Sequence, residues 1–300
     1  MVMIYEILSR VARVRFTVGY VAIAGAVSFA ILSLDPHTRE LVIQHASTNL
    51  HNLARGHLGT LLDSAFVVDA GPLYFWMPFL ACLLALAELH LRSIRLMVAF
   101  VVGHIGATLV VVGALAAAVE FGWLPMSITR ASDVGMSYGA LAVLGALTAA
   151  IPRRWRPAWV GWWIFAAMAS AVVGGDFTDA GHTIAVILGV LVSAQFRGPI
   201  HWTPVRFLML LASSGFGFLV LAHHWATMAA APAFGLLGAV AVHQLVRLTR
   251  ARMAPSRCSE RSRRRSRSVG GRRGSAGGSL WPWPPPSSVA ISPMRDTPSP

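Results

Sequence analysis

Long apolar stretches, separated by short connections that carry arginine, dominate the chain. A transmembrane α-helix needs about 20 predominantly apolar residues. Eight stretches meet or approach that length, at residues 16–34, 72–90, 95–119, 134–151, 157–174, 180–196, 206–222 and 230–247. Between the last two, Pro232 and the polar pair His223 and His224 favour two helices over one long helix. The pattern therefore predicts an all-α, polytopic integral membrane helix bundle.

The arginines lie on alternate sides of these stretches. They precede the first stretch and occupy every second connection, at Arg10, Arg13, Arg15, Arg92, Arg95, Arg153, Arg154, Arg156, Arg197 and Arg206. Arginine next to a span is retained in the cytoplasm. We therefore expect eight spans in the plasma membrane with both termini in the cytoplasm. The first stretch follows arginines without a small-residue cleavage pattern, so we expect it to be a retained signal anchor.

The same pattern predicts the order of segments along the chain. Residues 1–15 form a cytoplasmic N-terminus, 16–34 the first span, and 35–71 an extracytoplasmic connection with short interfacial helices. Five further spans lie within 72–196 and two more within 206–247. Residues 253–300 are rich in Arg, Ser, Gly and Pro, which predicts a disordered cytoplasmic tail. Three interpretations of this tail stand: a solvated extension, a basic segment that binds anionic lipid, and a non-native reading frame.

The composition agrees with lipid as the solvent around the bundle. Hydrophobic residues make up 55% of the chain and charged residues 12%, whereas soluble domains carry about 25% charged residues. The net charge of +13 could suggest nucleic-acid binding, but about half of the arginines lie in or near the tail and most others flank apolar stretches. We therefore expect no nucleic-acid partner. Cys82 lies in an apolar stretch and Cys258 in the tail, which does not predict a disulfide.

Few polar side chains interrupt the apolar stretches, and these are the first candidates for chemistry because a polar group in lipid is costly. They are Ser137, His182, His104, Glu88 and Tyr74. The fourth and sixth spans run in the same direction, and Ser137 and His182 lie roughly 3 to 5 Å from their outer ends. Serine becomes a nucleophile when an adjacent base, most often histidine, removes its proton. The two residues therefore predict a Ser-His dyad near the outer face.

Neighbouring residues support this interpretation and suggest roles for the other polar groups. We expect Asp133 and Asp179 to cap the two helices. Small residues at three- and four-residue spacing would let the helices approach closely, at Gly135, Gly139, Ala142, Ala146, Ala185 and Gly189. His104 is interpreted as a buried histidine bonded to a neighbouring helix, with a proton relay or a replacement catalytic group as alternatives. Glu88 is predicted to form a helix-end ion pair with Arg92 and Arg95.

Residues 60 to 196 resemble the six-helix core of the rhomboid family of intramembrane serine proteases. Gly135, Met136 and Ser137 match the family's Gly-x-Ser motif at the start of the fourth helix, and His182 matches its histidine base. The other matching positions are Thr60 to Phe66, Ala70, Gly71, Glu88, Ala185 and Gly189. Three positions depart from the family: Tyr74 and Pro78 replace a His and an Asn that help to bind the oxyanion, and Tyr138 replaces a glycine.

The resemblance implies a rhomboid-like six-helix core, here followed by two extra C-terminal spans. It implies an intramembrane serine protease that cleaves transmembrane substrates near the outer membrane face, with Ser137 as nucleophile and His182 as base. Gly135, Met136, Tyr74 and His104 are the candidates for oxyanion binding and support. A catalytically inactive protein that binds membrane clients is the alternative, and a small carrier or channel is a third hypothesis. No cofactor or metal is expected, and the expected partners are a membrane-protein substrate or client and the bilayer.

Overall fold

The computed structural model describes residues 11–67, 73–196 and 202–253, with side chains from residue 75 onward in the second range. Arg250 ends the compact unit that holds every feature described below. The α-helices are α1 (Arg15–Leu32), α2 (Pro36–Ala46), α3 (Leu50–Ala54), α4 (Thr60–Asp63), α5 (Leu73–Leu91), α6 (Ser93–Glu120), α7 (Ser137–Ala146), α8 (Arg156–Gly174), α9 (Phe177–Ser193), α10 (Pro204–Leu221) and α11 (Trp225–Met253). Short 3₁₀ turns cover Ala12–Val14, Met126–Arg130 and Leu147–Ala149.

Eight of these helices are apolar enough to belong to a membrane-embedded bundle. Five are long and apolar enough to cross a bilayer by themselves, and α5, α7 and α9 contribute shorter apolar segments. No strand occurs in the part of the chain that the structure describes. The predicted all-α, polytopic helical membrane bundle is therefore confirmed.

Helix α7 occupies the centre of the bundle. Every residue from Tyr138 to Ala146 is buried, and α5, α6, α9 and α10 all contact the helix. A helix that is apolar and buried on all sides belongs to the interior rather than to a lipid-facing surface. Together with its 3₁₀ turn α7 is about 20 Å long at 1.5 Å per residue, against about 30 Å for the hydrocarbon core of a bilayer. By itself, α7 is therefore too short to cross that layer.

The connection between α1 and α5 anchors the segment that leads into α7. The Thr48 amide donates to the Asp133 carbonyl at 3.0 Å, and the Asp133 amide donates to Ser47 Oγ at 2.7 Å. The Gly135 amide donates to the Ser64 carbonyl at 2.8 Å. Since buried backbone groups must be paired, these bonds fix the path of the chain immediately before Ser137.

Glu88 joins the start of α1 to the end of α5. Its carboxylate accepts hydrogen bonds from the amides of Phe16 and Thr17, the Thr17 hydroxyl and the Ser93 hydroxyl, at 2.6 to 3.0 Å. The prediction of an ion pair with the neighbouring arginines is therefore wrong. The carboxylate instead satisfies first-turn amides of another helix, whose unpaired N–H groups attract negative charge.

The last two long helices pack against different parts of the bundle. Helix α10 lies along α5, while Gly238 of α11 approaches Gly161 of α8 so closely that a Cβ at either position would overlap the other's carbonyl. The turn at His223 and His224 separates them, as predicted. Pro232 does not separate the two helices, because it lies inside α11, which begins at Trp225.

Candidate active site

Ser137 and His182 meet near the N-terminal ends of α7 and α9. Ser137 Oγ lies 3.0 Å from His182 Nε2, within hydrogen-bonding distance. His182 is 5% exposed and Ser137 is half-buried. The two residues are 45 positions apart in the chain, so tertiary packing alone brings the hydroxyl and the imidazole together.

A cavity of about 420 Å³ opens above this pair. Its walls come from α5, α10, the start of α9 and the connections on either side. The polar lining includes Asp133, Ser137, Asp176, Asp179, His182 and His223, and the apolar lining includes Trp76, Phe216, Leu219 and Val220. A cavity with mostly apolar walls and a few convergent polar groups is typical of a ligand or catalytic site.

Two glycines allow α7 and α9 to approach as closely as the hydrogen bond requires. A Cβ at Gly189 would overlap the Ala142 carbonyl, and one at Gly145 would lie 2.5 Å from the Val186 carbonyl oxygen. These contacts are to backbone atoms, which cannot rotate away. The expectation that small residues bring the two helices together is met at Gly189 and Ala142, whereas Gly145 was not among the predicted residues.

Gly135 shapes the last turn of chain before Ser137. Its φ of +122° lies in a region that L residues rarely adopt, while nothing lies within 4 Å of where its Cβ would be. Backbone conformation, and not space, therefore requires glycine here. Gly135 and Met136 both line the cavity beside Ser137. The first-turn amides of α7 carry no side-chain cap, which leaves backbone donors beside the serine hydroxyl.

Tyr138, which replaces the family's glycine, does not block the cavity. It is 2% exposed, and its ring meets the His182 ring edge-on, with centroids 5.4 Å apart. Its hydroxyl fills the space beside Gly181, where a Cβ would overlap it. The bulky side chain thus points away from Ser137 and packs against the His182 imidazole.

His104 does not reach the cavity. It is buried, its Nε2 lies 3.1 Å from Ser64 Oγ, and its ring is 6.5 Å from that of Tyr138. The Tyr138 ring therefore stands between His104 and the Ser-His pair. This placement agrees with the interpretation of His104 as a histidine bonded to a neighbouring segment.

The two aspartates expected to cap α7 and α9 have other roles. Asp176 is the N-cap of α9 and accepts from the Thr178 amide, while Met136 precedes α7 without a side-chain bond. Asp179 lies inside the first turn of α9 and is 1% exposed. Its Oδ1 is 3.5 Å from His182 Nδ1, which the sequence analysis missed. The i, i+3 spacing of Asp179 and His182 on one helix face could have revealed the contact.

Asp133 gives the cavity a group that titrates near neutral pH. Burial raises the pKa of the Asp133 carboxyl to about 7, and the negative charge of Asp176 acts in the same direction. The folded protein therefore favours the protonated form of Asp133 below that pH.

The remaining predicted positions are placed as follows. The Tyr74 side chain lies outside the described residues. Pro78 lies in α5, is exposed, and does not line the cavity, to which α5 contributes Trp76. No group of three or more His, Cys, Asp or Glu side chains that could hold a metal ion occurs within the described ranges.

Comparison with known proteins agrees with this arrangement. A family model described as rhomboid-like protein matches residues 11–200, a range that includes Ser137 and His182 and excludes α10 and α11. No curated protein and no solved structure matches the chain. Because the matched range covers well over half of the 300 residues, the chain belongs to the family of rhomboid-like proteins.

Proposed function

We propose that this protein is an intramembrane serine protease that cleaves membrane-protein substrates near the outer face. The observation that carries the proposal is the 3.0 Å contact between Ser137 Oγ and His182 Nε2 on the wall of a cavity. A serine hydroxyl within hydrogen-bonding reach of a histidine is the arrangement that nucleophilic acyl transfer requires.

The proposed reaction has two steps. Ser137 Oγ attacks the carbonyl carbon of the scissile bond while its proton passes to His182 Nε2. The C–N bond then breaks as Nε2 returns the proton to the leaving amine, which leaves an acyl ester on Ser137. A water molecule hydrolyses the ester by the same route and restores the serine.

Backbone amides would supply the oxyanion site in this proposal. The uncapped first turn of α7 places N–H donors next to the Ser137 hydroxyl. Pro78 has no donor and lies outside the cavity, so the family's usual side-chain donor is missing at that position. Losing one oxyanion donor typically lowers turnover by about 10²- to 10³-fold, so we expect slow turnover.

A fluorophosphonate probe tests the nucleophile. We expect it to label the detergent-solubilised wild type and to leave Ser137→Ala unlabelled. Ser213→Ala is the matched control, because Ser213 is also buried but bonds to the Met209 carbonyl within α10. Equal labelling of wild type and Ser137→Ala would disprove the proposal.

The second candidate function is a catalytically inactive protein that binds membrane clients through the same cavity. The absence of a donor at Pro78 is the observation that favours it. Crosslinked partners that persist in Ser137→Ala, together with no cleavage of those partners by wild type, would support this function. A cleaved partner would exclude it as the only role.

We further propose a plasma-membrane location with both termini in the cytoplasm, which follows from the arginine-rich connections. The basic tail lies outside the described residues, and we propose anionic lipid as its partner. Reporter fusions after residue 300 and within 35–67 test the orientation, since activity of a cytoplasmic reporter in the second fusion would contradict it.

A further inference from the structure

Asp179 is a buried carboxylate that lies between two imidazoles. Its Oδ1 is 3.5 Å from Nδ1 of His182, and its Oδ2 is 3.6 Å from Nε2 of His223. His223 lies in the turn that follows α10 and is 36% exposed, whereas the Asp179 side chain is 1% exposed. The serine, the two histidines and the aspartate therefore form one chain of contacts from the floor of the cavity to its rim.

Helix α8 holds the Asp179 carboxylate in place. The Ser170 hydroxyl lies 3.1 Å from Asp179 Oδ1 and 2.8 Å from the Leu221 carbonyl. Gly174 faces the same carboxylate, and a Cβ there would overlap Oδ2. One helix thus provides the space that the carboxylate occupies and a hydroxyl whose single proton is shared between the carboxylate and the Leu221 carbonyl.

The Asp179 carboxylate lies beside the buried Nδ1 of His182. Nδ1 of His182 is buried and has no hydrogen-bond partner at normal distance. Asp179 Oδ1, at 3.5 Å, is the acceptor placed to accept a hydrogen bond from Nδ1–H. The separation exceeds the usual 2.7–3.2 Å, but catalytic hydrogen bonds are often long in the free enzyme and shorten when substrate binds.

We propose that Asp179 is the positioning residue for His182. We also propose that His223, in the turn that follows α10, shares the same carboxylate. This inference rests on the proposed function. It makes the catalytic group Ser137–His182–Asp179 instead of a dyad. It also assigns the segment after α10, which lies outside the family match, a direct part in the site.

Asp179 acts without exchanging a proton. As Ser137 Oγ attacks, its proton moves to Nε2 of His182 and the imidazole becomes positively charged. The Asp179 carboxylate accepts the Nδ1–H hydrogen bond and stabilises that charge, and it stays ionised throughout. When His223 is protonated, its charge competes for the same carboxylate and opposes the charge on His182.

The pH dependence of probe labelling separates this role from a merely structural one. A fluorophosphonate releases fluoride, which needs no proton, so the labelling rate depends on His182 acting as a base. Other titratable groups face this region, namely Tyr138 of α7, Asp133 and Asp176 of the adjacent connections, and His224. The test variants leave all four unchanged, and the control changes only His224.

We expect Asp179→Asn to lower the labelling rate at neutral pH on the order of 10⁴-fold. The pH at which the labelling rate is half of its maximum should be lower in this variant, because the His182 imidazole loses the negative charge that favours its protonation. In His223→Gln this midpoint of the labelling rate should move to higher pH, because His182 no longer shares the Asp179 carboxylate with a second imidazole. His224→Gln is the matched control: its ring lies 4.3 Å from that of His223, and we expect no shift.

The outcomes distinguish the two proposals. A wild type that is not labelled at Ser137 would overturn the proposed function and this inference together. Labelling at Ser137 with an unchanged rate and midpoint in Asp179→Asn would overturn the inference alone. Shifts of both variants in the same direction, or none in His223→Gln, would overturn the role of His223. His223 is at the surface, so this variant keeps the inference testable even if Asp179→Asn does not fold.

Discussion

A single methyl group at Gly189 should separate the proposed catalytic residues. In Gly189→Ala the new Cβ would lie 2.8 Å from the Ala142 Cα and closer still to its carbonyl oxygen, whereas ordinary contacts begin at 3.4 Å. Both atoms belong to the backbone, so α9 must move away from α7 by about 1 Å. Gly189 is seven residues, or about 10 Å, along the helix from His182. A rigid shift would lengthen the 3.0 Å contact between His182 and Ser137 to about 4 Å.

The expected consequence is a loss of activity larger than the loss of stability. A displacement of about 1 Å can lower a rate about 10²-fold, while overpacking costs typically 1–3 kcal/mol. Fluorophosphonate labelling rates and thermal unfolding in detergent measure the two effects separately. Gly113→Ala in α6 is the control, because nothing lies within 4 Å of its Cβ position. If Gly189→Ala is labelled as fast as Gly113→Ala, close helix contact does not position the pair.

Three further substitutions test features of the fold and the cavity. Glu88→Ala leaves three donors at the start of α1, and the Ser93 hydroxyl, without their acceptor, and thermal unfolding should show a loss of about 3 kcal/mol or more; Glu120→Ala, at the exposed end of α6, should show almost none. Because the pKa of Asp133 is raised to about 7, its contribution to stability is present at acid pH and is lost as pH rises towards 7 and above. Asp133→Asn should reduce this decline in the free energy of unfolding by on the order of 1 kcal/mol at pH 8, since the Asp133 side chain is partly exposed. Unfolding midpoints that decline equally with pH in wild type and variant would contradict this. Gly161→Val should separate α8 from α11 and lower the unfolding midpoint, whereas Gly19→Val, with open space around its Cβ, should not; equal midpoints would show that this contact is dispensable.

The sequence alone predicted the elements of the fold and the two central residues of the site. Helix formation in lipid depends on the length of an apolar run, because every backbone group must be satisfied within its own segment. Ser137 and His182 were recognisable because polar groups are rare in such runs and these two lie at similar depth. The location of Pro232 inside α11 was not predictable, since neighbouring helices can stabilise a proline-containing helix that its local sequence disfavours.

The missed features are all contacts between distant segments or within the site. Glu88 was assigned to the nearest arginines, but its partners are the first residues of α1, about 70 positions away in sequence. The position of the Tyr138 side chain was not predictable, because the space beside Gly181 that it fills exists only after α7 and α9 have packed. Asp179 was treated as a cap because the start of its helix was placed at residue 180, three residues after the observed start at Phe177. Capping patterns locate a helix end to within a few residues, and one turn decides which way a carboxylate points.

The complete enclosure of α7 bears on how bilayer thickness would act on the protein. The outer helices touch lipid and can tilt or shift when the hydrocarbon layer becomes thicker or thinner. Helix α7 is buried from Tyr138 onward, so its height is set by its protein neighbours. A transmembrane substrate, in contrast, takes its height from the lipid. For the proposed protease, changing the acyl-chain length of the surrounding lipids would therefore move a transmembrane substrate relative to Ser137 and change which peptide bond lies opposite its hydroxyl.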